Sequence, residues 1–224
     1  FMVILYNRAG YGASSPSSLP RSPTNVVAEL ENLLAQLVGE RPVVYVGHSY
    51  GGLPGQILVR TRPARVARIV FIDPMSLQDH RIMEQLSPAQ YAASGWDKSA
   101  NLKLGRTVCR LGLGWLLRPL LRKAPPFFYH PDFSPEATRD ILRNATSASM
   151  YAAALEEYRM ARDPALATTL EAGMAGNRSE GLGCFDGEVV LFAHDPAGMQ
   201  RDIMHYGGTD AETAEIIDGL WQAY

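Results

Sequence analysis

The sequence predicts an α/β fold, in which a mainly parallel sheet with helices on both faces is interrupted by a helical insertion. Three observations lead there. Four short runs, residues 2–6 (MVILY), 42–46 (PVVYV), 68–72 (RIVFI) and 188–193 (EVVLFA), are apolar on both faces, the pattern of strands buried on both sides. Segments of helical period separate the first three, and strands alternating with helices favour parallel pairing. Between residues 74 and 183 there are helical patterns and no convincing strand.

Taken in order, residues 2–6 are expected to form the first strand. Residues 7–20 are rich in Gly, Ser and Pro and must be loop. A helix follows, with Thr24 as the expected N-cap. Val26, Val27, Leu30, Leu33, Leu34 and Leu37 fall on one stripe at helical spacing, and Gly39 is placed to end it. Residues 42–46 are the second strand, residues 47–52 a tight Gly-rich turn, and residues 56–60 a helix that stops before Pro63. Residues 68–72 are the third strand. The insertion carries helical patterns at 86–93, 102–121, 134–144 and 150–162. Residues 188–193 return to strand, and Thr209 with Glu212 forms a capping box for a last helix at 209–221. The expected division is a core of residues 1–74 and 185–224 and an inserted helical cap of residues 75–184.

Composition narrows the function. The chain has 224 residues, 46% hydrophobic and 20% charged, with a formal net charge of −2. That is an ordinary globular balance, without the basic face that nucleic acid requires. No apolar run is long enough to span a bilayer, and the first residues given do not have the pattern of a signal peptide, which says little about compartment in a chain that begins with Phe1. Cys109 and Cys184 are too few for a disulfide framework or a zinc set, and read as free thiols of a reducing, cytoplasmic compartment. No metal or organic cofactor is implied. Oligomeric state is not legible.

The chemistry is carried by Gly47-His48-Ser49-Tyr50-Gly51, which fits G-x-S-x-G. The run PVVYV leads in and a helix leads out, the strand–turn–helix context that gives the motif meaning. Side chains at Gly47 and Gly51 would collide with neighbouring backbone in so sharp a turn. The turn lifts the Ser49 hydroxyl above the sheet and aims the Tyr50 backbone N–H where an oxyanion would form.

With these residues the sequence resembles the α/β-hydrolase fold superfamily, in the large group with a helical cap. Tyr6-Asn7-Arg8-Ala9-Gly10-Tyr11-Gly12 resembles the strand and loop one helix before the nucleophile elbow. Gly47-His48-Ser49-Tyr50-Gly51-Gly52 resembles the elbow itself, and residues 65–74 resemble the strand that follows it. Asn7 stands where the family usually has Asp, a difference expected to matter for the loop and not for the chemistry. The resemblance implies a serine nucleophile, a histidine base and a carboxylate that orients it, in the chain order Ser, acid, His. Asp73 and Asp195 are the candidate acids, each at the C-terminal end of a strand, where ligand sites of open α/β sheets lie. Asp73 is preferred. Of His48, His80, His130, His194 and His205, none falls where the family places its base, and His205 is the nearest to that position. The base and the second oxyanion donor are therefore expected outside this chain, and residues 1–224 alone are expected to be inactive.

The implied activity is hydrolysis of an ester, thioester or similar small acyl substrate. Transfer to another acceptor, C–C bond hydrolysis and a non-catalytic binding role are the alternatives, whereas Ser49 disfavours a carboxylate nucleophile. Residues 102–121 are rich in Leu, interspersed with Arg106, Arg110 and Arg118, and interrupted by Gly105, Gly112 and Gly114. They read as a cap helix packed on its own domain, a lid over an apolar pocket, or a basic amphipathic helix on a membrane surface.

Overall fold

The computed structural model describes residues 2–75, 86–93, 98–122, 132–163, 165–166, 185 and 187–192. The chain forms two compact units, Phe1–Arg21 with Lys98–Arg159, and Ser22–Asp97 with Met160–Tyr224.

The second unit holds the sheet. Helix α1 (Pro23–Val38) starts at Ser22, whose Oγ accepts from the Asn25 N–H at 3.2 Å. Thr24 is inside the helix and not its cap. Pro23 decides this, because its fixed φ suits the first helical position and leaves the preceding serine as N-cap. Val26, Val27, Leu30 and Leu34 are buried along the expected stripe, while Leu37 is exposed. Gly39 ends the helix at φ 61°, donating to the Ala35 carbonyl.

Strands β1 (Val43–Ser49), β2 (Val66–Pro74) and β3 (Glu188–Phe192) form a parallel sheet in that order. Helix α2 (Gly52–Thr61) is the crossover from β1 to β2. It buries Leu53, Ile57 and Leu58 in a core that includes Ile69 and Phe71 of β2. Full burial of such side chains contributes about 1.5–3 kcal/mol each. Arg65 is buried at the start of β2, where its Nε meets Glu31 at 3.2 Å and its Nη1 donates to the Gly39 and Arg41 carbonyls. Arg65 therefore ties the strand to the C-terminal end of α1. The opposite face of the sheet leaves Val44, Val46 and Ile72 exposed.

Residues 2–6 are not a strand. Met2, Val3 and Leu5 are exposed and no ladder forms there among the described residues. Their segment clusters with helices of the first unit. Helix α3 (Pro88–Ala93) belongs to the second unit.

The first unit contains α4 (Ser99–Arg110), the short α5 (Arg118–Leu121), α6 (Pro135–Ala145) and α7 (Ala148–Ala161, which runs two residues past the unit's edge). The single helix expected over 102–121 is broken. Gly112 adopts φ 76°, with its N–H on the Cys109 carbonyl and the Leu113 N–H on the Val108 carbonyl. This paired closure is a Schellman C-cap. A 3-10 turn, Gly114–Leu117, then leads to α5. Ser134, the first residue of the pattern expected at 134–144, is the N-cap of α6 and accepts from the Ala137 N–H.

A buried charge cluster anchors the N-terminal segment to α7. Glu157 accepts from Arg8 Nε and Nη2 at 3.1 and 2.8 Å, from Tyr11 Oη–H at 2.6 Å and from Arg21 Nη2 at 3.0 Å. Burial first, then the Glu157 charge, pushes the Tyr11 phenol well above the usual tyrosine range. Among the described residues, no helix is long and apolar enough to cross a membrane, and no group of His, Cys, Asp and Glu is placed to hold a metal.

Candidate active site

Ser49 is the last residue of β1, and α2 begins at Gly52 three residues later. Ser49 has φ 49°, a left-handed conformation that costs an L-residue roughly 1–2 kcal/mol. The turn is closed by the Gly51 N–H on the His48 carbonyl at 2.8 Å and the Leu53 N–H on the Tyr50 carbonyl at 3.1 Å. A Cβ at Gly47 would lie 2.6 Å from the Gly51 carbonyl oxygen, and one at Gly51 would lie 3.0 Å from the His48 carbonyl oxygen. The crowding atoms are backbone, which cannot rotate aside as a side chain can, so position 47 needs glycine and a side chain at 51 would fit only if the turn gave way. Gly52 is needed for another reason, since a Cβ there would strike Pro74 at the end of β2.

Two residues that the motif does not include hold the elbow. Tyr45, also on β1, donates its hydroxyl to the Gly51 carbonyl at 2.7 Å. Gln56 of α2 donates through Nε2 to the Met75 carbonyl at 2.8 Å and to the Gly52 carbonyl at 3.2 Å. The Met75 N–H in turn donates to the Ser49 carbonyl at 2.8 Å. The ends of β1 and β2 are thereby locked together. A lone glutamine within the apolar stretch LPGQILV is the signal by which Gln56 can be found in the sequence.

Asp73 sits at this same end. The ladder pairs His48 with Ile72 and Ser49 with Pro74, so Asp73 is an extra residue opposite no partner on β1. Its φ is 44°. An extra residue in a ladder bends the strand and re-aims the side chain, and Asp tolerates the left-handed region better than most residues. The structure thus brings Ser49, Tyr50 and Asp73 to the C-terminal ends of adjacent strands. His48 is exposed, one residue before Ser49. Asp195, His80, His130, His194 and His205 lie outside the described residues.

A model of the alpha/beta hydrolase family matches residues 3–221. The chain belongs to the alpha/beta hydrolase family. Over 79 residues it is 35% identical to lipase LipV of Mycobacterium tuberculosis, a match covering 34% of this chain and 28% of that lipase. Among solved structures, a candidate epoxide hydrolase from Pseudomonas aeruginosa aligns with a TM-score of 0.58 and 18% identity, over 96% of this chain and 78% of that one. A candidate acyltransferase from Salmonella enterica aligns with a TM-score of 0.53 and 21% identity, over 87% of this chain and 73% of that one. At these identities the structural likeness shows the fold alone. Within this alpha/beta hydrolase the strand–elbow–helix unit has the geometry described above.

Proposed function

We propose that this alpha/beta hydrolase is a serine hydrolase acting on an ester, thioester or similar acyl substrate. The observation that carries the reading is the strained φ of Ser49 between β1 and α2, in a turn too crowded for side chains at the flanking glycines to fit without shifts. Strain of this kind persists only where the surroundings impose it, and it clusters at functional sites. In the proposed reaction Ser49 Oγ attacks the acyl carbon and its proton passes to a histidine base that lies outside the described residues. The Tyr50 backbone N–H stabilises the oxyanion, the alcohol or thiol leaves carrying the proton, and water then releases the acyl group from Ser49. Asp73 is the preferred orienting acid, its place on the bulge supporting it, with Asp195 the alternative. Residues 75–184 are the insertion that sets substrate choice in this reading.

The test is labelling with a fluorophosphonate probe in a preparation that hydrolyses a simple ester. Ser49→Ala is expected to abolish both labelling and turnover. Labelling that persists in Ser49→Ala would remove Ser49 from the nucleophile's role.

A further inference from the structure

The first unit carries a surface that the acyl chemistry does not use. Between residues 98 and 122 the chain has Lys98, Lys103, Arg106, Arg110, Arg118 and Arg122 and no Asp or Glu, in a protein whose formal net charge is −2. Lys103, Arg106 and Arg110 follow one another at three- and four-residue steps on α4, so they share a helix face. With Thr107 of α4 and Leu155 and Arg159 of α7 they line a cavity of about 220 Å³. The acids of α7 do not neutralise them. Glu157 is taken by Arg8, Tyr11 and Arg21, and Glu156 accepts from the Arg21 backbone N–H. Among the described residues, Lys103, Arg106, Arg110 and Arg159 have no ion pair.

The cationic helix is accompanied by uncovered apolar side chains. Leu104, Leu111, Leu113, Trp115, Leu116 and Leu120 are between 40% and 69% exposed. All but Leu104 lie between the Schellman cap that ends α4, where Gly112 turns the chain out of the helix and into the Gly114–Leu117 turn, and the end of α5. Apolar exposure concentrated in one short stretch marks a docking surface. Its chemistry selects the partner. Unneutralised cations attract a negatively charged surface, and leucines with a tryptophan insert into the boundary between headgroups and acyl chains. Nucleic acid would satisfy the charge and leave the leucines without a role, since single strands are held by stacking on aromatic rings and here Trp115 stands alone among leucines.

We propose that residues 98–122 dock this protein on an anionic lipid surface. The cations supply attraction to the headgroups, and Trp115 with its neighbouring leucines supplies insertion. This docking is independent of Ser49.

Co-sedimentation of the full chain with vesicles tests it. Binding is expected to vesicles of phosphatidylcholine mixed with phosphatidylglycerol, and not to phosphatidylcholine alone, and to weaken as salt is raised. Replacing Lys103, Arg106 and Arg110 together by Gln is expected to lower partitioning about 100-fold, close to a factor of five for each charge removed. Trp115→Ser with Leu116→Ser, at exposed positions outside any helix core, is expected to lower it about 10-fold or more. Both variants keep the thermal transition of the parent, and Ser49→Ala binds vesicles as the parent does. Equal binding to neutral vesicles, undiminished binding by the glutamine variant, or tighter binding to a DNA duplex than to the anionic vesicles would each overturn the proposal.

Discussion

Ser49 holds a strained backbone and Tyr11 a buried phenol, and each has a measurable consequence for stability. The left-handed conformation of Ser49 is free for glycine and unfavourable for any residue with a Cβ. Ser49→Gly is therefore expected to be more stable than Ser49→Ala by about 1 kcal/mol in urea denaturation, although both lose the hydroxyl. Equal stabilities would mean that the elbow relaxes without cost. At Tyr11 the phenol is held protonated by burial and by the charge of Glu157, which its O–H reaches at 2.6 Å. An unfolded tyrosine ionises near pH 10, while the folded one resists, so the unfolded state releases its proton first. This contribution is fully present below about pH 10 and is lost as pH climbs through the folded value. Stability of the parent is expected to fall more steeply above about pH 10 than that of Tyr11→Phe, read as the difference between the two urea midpoints across pH. A constant difference would show that Tyr11 does not titrate with unfolding.

At the scale of elements, what the sequence discloses is what depends on near neighbours in the chain. β1, β2 and β3 are apolar runs bounded by turn residues, and the Ser134 cap of α6 is written in Ser-Pro. The elbow is legible because its glycines, serine and flanking strand lie within ten residues. What is hidden depends on partners. Residues 2–6 have the composition of a strand, but a strand exists only where another chain segment completes its hydrogen bonds, and none does so among the described residues. Gly105, Gly112 and Gly114 all interrupt the helical pattern in the sequence, but that α4 runs through Gly105 and ends at Gly112 is decided by the two backbone bonds that close there. The bulge at Asp73 is a property of the register between β1 and β2, which neither strand encodes alone. That bulge also separates the two candidate acids. In an active preparation, Asp73→Asn is expected to lower kcat by roughly 10⁴-fold, as loss of the orienting carboxylate does in a serine triad. Asn tolerates the left-handed region as Asp does, so the loss would not come from backbone strain. Asp195→Asn is expected to do much less. The reverse ranking would move the acid to Asp195.

On the scale of the whole molecule, the sheet of the second unit is asymmetric. One face is closed by α1 and α2 around Leu53, Ile57, Ile69 and Phe71, while the other presents Val44, Val46 and Ile72 to solvent. β1 is also an edge strand among the described residues, since the order is β1-β2-β3. Apolar side chains on an uncovered face beside an unpaired edge invite pairing with a second copy. Natural edges suppress this with lysine, bulges or proline. The bulges and proline of this sheet sit on β2, at Ala67 and at Asp73 and Pro74, and the run VVYV of β1 carries no charge. The 224-residue chain, purified as it stands, is therefore expected to bind the dye ANS and to associate as its concentration rises, followed by sedimentation velocity. Val44→Lys with Val46→Lys is expected to reduce both signals, because lysines on this face solvate it and repel a second copy. The pair leaves the buried side chains of the opposite face untouched, so the thermal transition should survive. A parent chain that stays monomeric without binding dye would show that this face is covered in solution.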